Sequence, residues 1–306
     1  MPPEPVDVVP LLSAAKVTVV AGKGGVGKTT VTALLARAAA DAGRQVIVIE
    51  LDGKPTLAEL VGDVPLLALS APAALEEYLR EHGFGRVAKR LAASGVIDVV
   101  STAAPGIDDL VVLGKIKQLE RSGDWDTILV DGPAAGHAVT MLTSPAGLRD
   151  AVRSGPVRAQ ADEVSAMLGD STRCQVALVT LPETTPVNET VATAFAIEDR
   201  VGVKLTPLFV NAVDVEGVDR STALPTTPGS IDEAVAAIDV DAGTAEALAA
   251  AARFRAERRR VQAAAIDELT DSLPLGQLHV PVVTGRLDGA ALTRLVGDVR
   301  RGGTAR

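Results

Sequence analysis

Cysteine is almost missing from this sequence, with Cys174 the single thiol among 306 residues. That excludes an intrachain disulfide and any cysteine cluster for zinc. Histidine is nearly as scarce, with three residues scattered along the chain, so a His-based metal site is not expected. Aromatic residues make up only 2% of a chain that is 47% apolar. Its core must therefore pack with small aliphatics, as parallel sheets and Ala-rich helices do. No apolar run reaches the ~18–20 residues of a membrane span. Lys16, Lys23 and Asp52 interrupt the longest candidates. The start, MPPEPVDVVPLL, has no basic leader, and a soluble, cytoplasmic protein is expected. Surplus positive charge is also lacking. The net charge is −9, which argues against nucleic-acid binding across the whole surface. The local exception, RFRAERRR at 253–260, reads as a solvated helix face.

What is present is an alternation of short apolar runs and helical stretches. Strand-like runs are VTVVA at 17–21, QVIVIEL at 45–51, GVIDVVST at 95–102 and DTILVDG at 126–132. QVALVTL at 175–181, LTPLFVNA at 205–212 and LHVPVVTG at 278–285 complete the set. Helices are expected from Thr29 to Gly43, over 72–93, over 107–122 and over 243–272. Strands buried on both faces and separated by helices predict an α/β fold with a doubly wound, mainly parallel sheet. One domain over 1–306 is expected, with helical elaborations at about 53–94 and 138–172. Residues 214–241, rich in Pro, Thr, Asp and Gly, read as a flexible loop. The closing stretch AALTRLVGDVRR is amphipathic, and its Leu292, Leu295, Val296 and Val299 make an ordinary core stripe. A membrane-surface helix would have a similar pattern.

The chemistry begins at Gly22-Lys23-Gly24-Gly25-Val26-Gly27-Lys28-Thr29-Thr30. It matches G-x-x-x-x-G-K-[ST] after a β-branched strand and before an Ala/Leu helix, the context a phosphate loop requires. Glycines let backbone N–H groups curl around a phosphate, and the helix N-terminus adds its dipole. Lys28 supplies charge to the β- and γ-phosphates of ATP, and Thr29 offers a hydroxyl to Mg²⁺. Asp52 and Asp131 each end an apolar strand downstream of the loop, where α/β ligand sites form and magnesium carboxylates lie.

Lys23 is a second lysine in the same loop. GKGGVGKT resembles the deviant Walker A of the dimer-forming ATPases that include MinD, ParA, nitrogenase iron protein and ArsA. Further stretches resemble ArsA and the guided-entry ATPases of tail-anchored proteins. They are STAAPGIDDLVVLGKI at 101–116, DTILVDGPAAGHAVTML at 126–142, VTLPETTPVNET at 179–190, PLFVNAV at 207–213 and RFRAERRRVQAAAIDEL at 253–269. The resemblance implies a P-loop ATPase using ATP and Mg²⁺. It implies that Lys23 crosses a dimer interface to the partner's nucleotide and that Asp52 orients the attacking water. Asp131 would support the magnesium shell, Asn211 would pair with adenine, and Pro281 with Val282 would flank the base. His137 would lie in switch II, where it either senses the nucleotide or holds the structure.

The chain also departs from the family. Switch I usually reads Asp-Pro-Ala-His, and here it is Asp52-Gly53-Lys54-Pro55-Thr56-Leu57. Switch II carries Gly132, Pro133 and Ala135 for Thr, Ala and Thr. A single cysteine can build neither an arsenite site nor the Cys-x-x-Cys zinc clasp of the guided-entry branch, and three Met are few for a tail-anchor groove. Either slow hydrolysis or one degenerate subunit of a pair is therefore expected, and the dimer is either a homodimer or a heterodimer with a paralogous ATPase. Two further readings are a MinD/ParA-like positioning ATPase and a weakly hydrolysing regulatory subunit. No integral membrane segment is expected, which leaves only a peripheral contact with a membrane partner.

Overall fold

β-Branched runs too short for helices assemble side by side in the computed structural model, which describes residues 8–51, 53, 55–81, 106–214 and 228–302. The strands are β1 (Val17–Gly22), β2 (Val46–Glu50), β3 (Leu66–Ala68), β4 (Thr127–Ala134), β5 (Cys174–Thr180), β6 (Lys204–Leu205), β7 (Leu208–Val213) and β8 (Gln277–Pro281). Their order is β3-β2-β4-β1-β5-β7-β8, with β6 beside β5, and all the pairings are parallel. β1 lies mid-sheet, with Val17 opposite Ile128 on one side and Cys174 on the other. The direction of winding reverses around it, and ligands of open parallel sheets bind at such a reversal, beyond the C-terminal strand ends.

The helices are α1 (Val8–Ala14), α2 (Lys28–Asp41), α3 (Pro55–Val61), α4 (Ala71–Glu81), α5 (Ile107–Ser122) and α6 (Ala135–Ala151). α7 (Pro156–Gly169), α8 (Thr184–Arg200), α9 (Pro228–Ala236), α10 (Ala242–Ser272) and α11 (Gly289–Gly302) follow. They cover both faces. Because successive strand residues point to opposite faces, Val17, Val19, Ile49, Ile128 and Val176 pack in one core against α5, α6, α7, α8 and α10. Val20, Val48, Leu129, Ala177 and Phe209 pack in the other, against α1, α2, α3 and α11. Each fully buried Leu or Ile side chain contributes about 1.5–3 kcal/mol. Leu292, Leu295, Val296 and Val299 are at most 3% exposed, so the apolar stripe of α11 is spent on this second core.

Several expectations change. The expected strand at 95–102 lies outside the described residues, as do Asp52, Lys54 and residues 215–227. β3 was not expected. It is three residues long and largely exposed, and carries no periodic signal. The run 205–212 divides at Pro207, which has no N–H for the ladder, leaving β6 and β7 on either side. β8 stops at Pro281, short of the expected Gly285. The stretch expected as a loop over 214–241 contains α9, whose Ile231 and Val235 pack on Ala249 and Ala252 of α10.

Candidate functional site

The loop between β1 and α2 is shaped by glycine at points where a side chain would not fit. A Cβ on Gly22 would lie 2.2 Å from the Val179 carbonyl oxygen, so only glycine lets the loop leave β1 against β5. Gly27 has φ 90° and ψ 32°, and a Cβ there would lie 2.1 Å from Asn211 Nδ2. Gly27 caps α2 without a side-chain hydrogen bond, so the first N–H groups of the helix are left for an anion. Gly24 and Gly25 are exposed, and Cβ atoms there would point into open space. Lys28 is 7% exposed and arches back over the loop, with Nζ donating to Gly22 O at 3.2 Å and Lys23 O at 3.3 Å. Val26 is buried beneath it, and Thr30 sits half-buried in the first turn of α2.

Thr29 Oγ1 donates to Asp131 Oδ2 at 2.8 Å, and Thr32 Oγ1 donates to Asp131 Oδ1 at 3.2 Å. Parallel pairing of β4 with β1 brings this carboxylate, 3% exposed, under the start of α2. Sequence reasoning missed Glu50, which is 4% exposed and opposite Asp131 in the β2–β4 register. An acidic residue in an otherwise apolar strand was its signal. A hydroxyl beside buried carboxylates is a hard-oxygen donor set, which suits Mg²⁺ and not a soft metal. Among the described residues no group of three or more His, Cys, Asp or Glu side chains could hold a metal ion. A hydroxyl–carboxylate pair of this kind would suit a magnesium ion that arrives on a nucleotide.

Asn211 on β7 donates from Nδ2 to Val26 O at 2.9 Å, which ties the strand end to the phosphate loop. Ala212 follows with φ 57°, an unusual left-handed conformation for a residue with a Cβ. Gln262 of α10, also missed from sequence, spans this bend: its Nε2 donates to Ala212 O at 3.2 Å and its Oε1 accepts from Asp214 N at 3.0 Å. Arg255 grips the Asp214 carboxylate with two bonds of 2.8 and 2.7 Å. That bonding, with the charges of Arg255, Arg259 and Arg258, holds the Asp214 carboxyl below the usual carboxylate range. Arg255 of the arginine run thus anchors this bend while its helix face stays exposed, as expected. Pro281 and Val282 stand beside it, with Val282 N donating to Val213 O at 3.0 Å.

β1 and β4 shift register between Val20 and Gly22, and a Cβ at Gly132 would lie 2.5 Å from Val20 O. His137 and Asp109, from two stretches far apart in sequence, meet at 3.7 Å, while Ser144 Oγ donates to Asp109 Oδ2 at 2.7 Å. Lys23 points out of the loop and pairs with Glu189 of α8. Cys174 is fully buried as expected, with its thiol pushed up to about 12 by burial.

A glycine cradle at a helix N-terminus, a lysine over it and a hydroxyl–carboxylate pair beside it define the class: a P-loop nucleotide-binding protein. The chain belongs to the CobQ/CobB/MinD/ParA nucleotide binding domain family, whose profile matches residues 17–257. Among its relatives is ATPase BagA of Mycobacterium tuberculosis, 29% identical over 93% of this chain and 92% of that protein. A putative arsenical pump-driving ATPase of Halobacterium salinarum is 27% identical over 62% of this chain and 34% of its own length. ATPase GET3C of Arabidopsis thaliana is 28% identical over 40% of each chain. The chain is an ATPase, and its relatives include proteins named as an arsenical pump-driving ATPase and a GET3 ATPase. Among the described residues no helix is long and apolar enough to cross a membrane.

Proposed function

We propose that the chain is a magnesium-dependent ATP switch that closes as a dimer when ATP binds and opens after hydrolysis. The observation that carries this reading is the divergence of the two loop lysines. Lys28 folds over its own cradle, while Lys23 points outward. Backbone N–H groups of Gly24, Gly25, Val26, Gly27, Lys28, Thr29 and Thr30 would hold the phosphates, with Gly22 setting the entry of the loop. Lys28 would neutralise charge building on the transferred phosphoryl group, and phosphoryl transfer needs little beyond such positioning and charge. Thr29 and Asp131 would hold bound Mg²⁺, which supplies charge to the β–γ bridge. Asp52, in the metal shell and orienting the attacking water, would complete the set. Asn211 would face the adenine edge, with Pro281 and Val282 against the base.

Lys23, delivered to the nucleotide of a partner, would couple ATP binding to closure. The partner is a second copy or a paralogous ATPase. A second reading, a weakly hydrolysing subunit of a heterodimeric pair, draws on Gly132, where the crowding by Val20 O leaves no room for a switch II hydroxyl.

The test is ATP turnover measured together with mass by light scattering, with MgATP and with a non-hydrolysable analogue, for wild type and Lys23→Ala. ATP-driven dimerisation and turnover that both vanish in Lys23→Ala support the switch. A wild type that turns over ATP as a monomer refutes it. Binding without turnover favours the regulatory reading.

A further inference from the structure

The outward lysine is already engaged within its own chain. Lys23 Nζ donates to Glu189 Oε1 at 2.6 Å. The chain topology makes the meeting: β5 neighbours β1, and α8 begins beyond the C-terminal end of β5, so its second turn flanks the phosphate loop. Both side chains are reachable from outside, at 34% and 46% exposure.

We propose that Glu189 is the positioning residue for Lys23, holding the ammonium against its own subunit until a second copy of this chain draws it away with the phosphates of its bound nucleotide. This rests on the reading of Lys23 as a cross-dimer residue. The exchange is physically favourable, because a triphosphate carries more negative charge than one carboxylate, and an exposed ion pair is weak enough to give way. The pair still raises the threshold for closure. A symmetric dimer breaks two such pairs, so their removal should tighten nucleotide-driven dimerisation about 2- to 30-fold. Glu189 thereby keeps Lys23 from engaging before the partner brings a nucleotide.

Two measurements on the full chain test this. The first is acetylation of Lys23 by a soluble amine reagent, read by mass spectrometry in the nucleotide-free monomer and normalised to exposed Lys204. The second is the dimer dissociation constant with MgATPγS. Wild type, Glu189→Gln, Lys23→Ala and the double variant are compared. Glu189→Gln should speed Lys23 labelling and tighten the dimer by the stated factor, and the double variant should fail to dimerise, as Lys23→Ala does. Unchanged labelling overturns the proposal and leaves the cross-dimer reading standing, because the pair then does not form in solution. Faster labelling with a Lys23-dependent dimer of unchanged affinity also overturns it. A dimer indifferent to Lys23→Ala, or wild type and Glu189→Gln chains that both stay monomeric, sinks the cross-dimer reading for a second copy and the proposal with it.

Discussion

Replacing Gly27 by alanine is the sharpest test of how the loop is held. Two separate penalties arise. With φ at 90°, alanine enters the left-handed region, which costs about 1–2 kcal/mol. Its Cβ would also lie 2.1 Å from Asn211 Nδ2, driving the amide off Val26 O and forfeiting a hydrogen bond worth about 0.5–1.5 kcal/mol. Gly27→Ala should therefore lose about 1.5–3.5 kcal/mol of stability, read as a lower urea midpoint at constant slope. In an Asn211→Ala background the obstructing amide is gone, and the same change should cost only the backbone strain. The double-mutant cycle then shows a coupling of about 1 kcal/mol, above the ~0.3–0.5 kcal/mol scatter of independent sites. Equal costs in the two backgrounds would refute the contact between β7 and the loop. Nucleotide affinity should fall in Gly27→Ala as well, since the displaced loop no longer presents its N–H groups together.

Three further outcomes are expected. Lys28→Ala should weaken ATP binding about 10- to 150-fold, the worth of a hydrogen bond from a charged donor, in a titration with a fluorescent analogue; wild-type affinity would remove Lys28 from the site. Asp214 has its folded pKa depressed by Arg255, so its stabilisation is present above the ordinary carboxylate range of about pH 4 and is lost as pH falls through the lower folded value. Urea midpoints for wild type and Asp214→Asn should accordingly differ at pH 6 and converge on acidification, and a constant difference would count against the ion pair. Cys174, fully buried with its thiol near 12, should resist thiol reagents at pH 8 until urea unfolds the chain; rapid labelling of native protein would contradict that burial.

The phosphate loop was legible because its chemistry is local: glycines, lysine and threonine stand in one uninterrupted stretch between a strand and a helix. The central strands were legible for a similar reason, since residues buried on both faces leave continuous β-branched runs. What escaped depends on partners far away in the chain. β3 borrows its conformation from β2, with Val48 facing Leu66. α9 is held by α10, and its composition alone reads as loop. Glu50 becomes meaningful only once the β2–β4 register sets it opposite Asp131. Gln262 looks like any polar residue of a long helix until the left-handed turn at Ala212 is seen to need its amide. The carboxylate that Lys23 meets also escaped, because nothing in the spacing from 23 to 189 indicates proximity.

The central place of β1 has a consequence for how the chain is made. The loop lies near the N-terminus, yet Thr29 waits for Asp131, 102 residues on, and the loop carbonyl of Val26 waits for Asn211, 185 residues on. A ribosome therefore releases the loop residues long before the strands that shape them exist. Non-local parallel pairing closes large loops and is slow to form. During that interval the apolar edges of β1 stand open, the kind of exposure that draws chaperones or aggregation. The contacts that fix the loop are therefore complete only in molecules whose synthesis has passed β7.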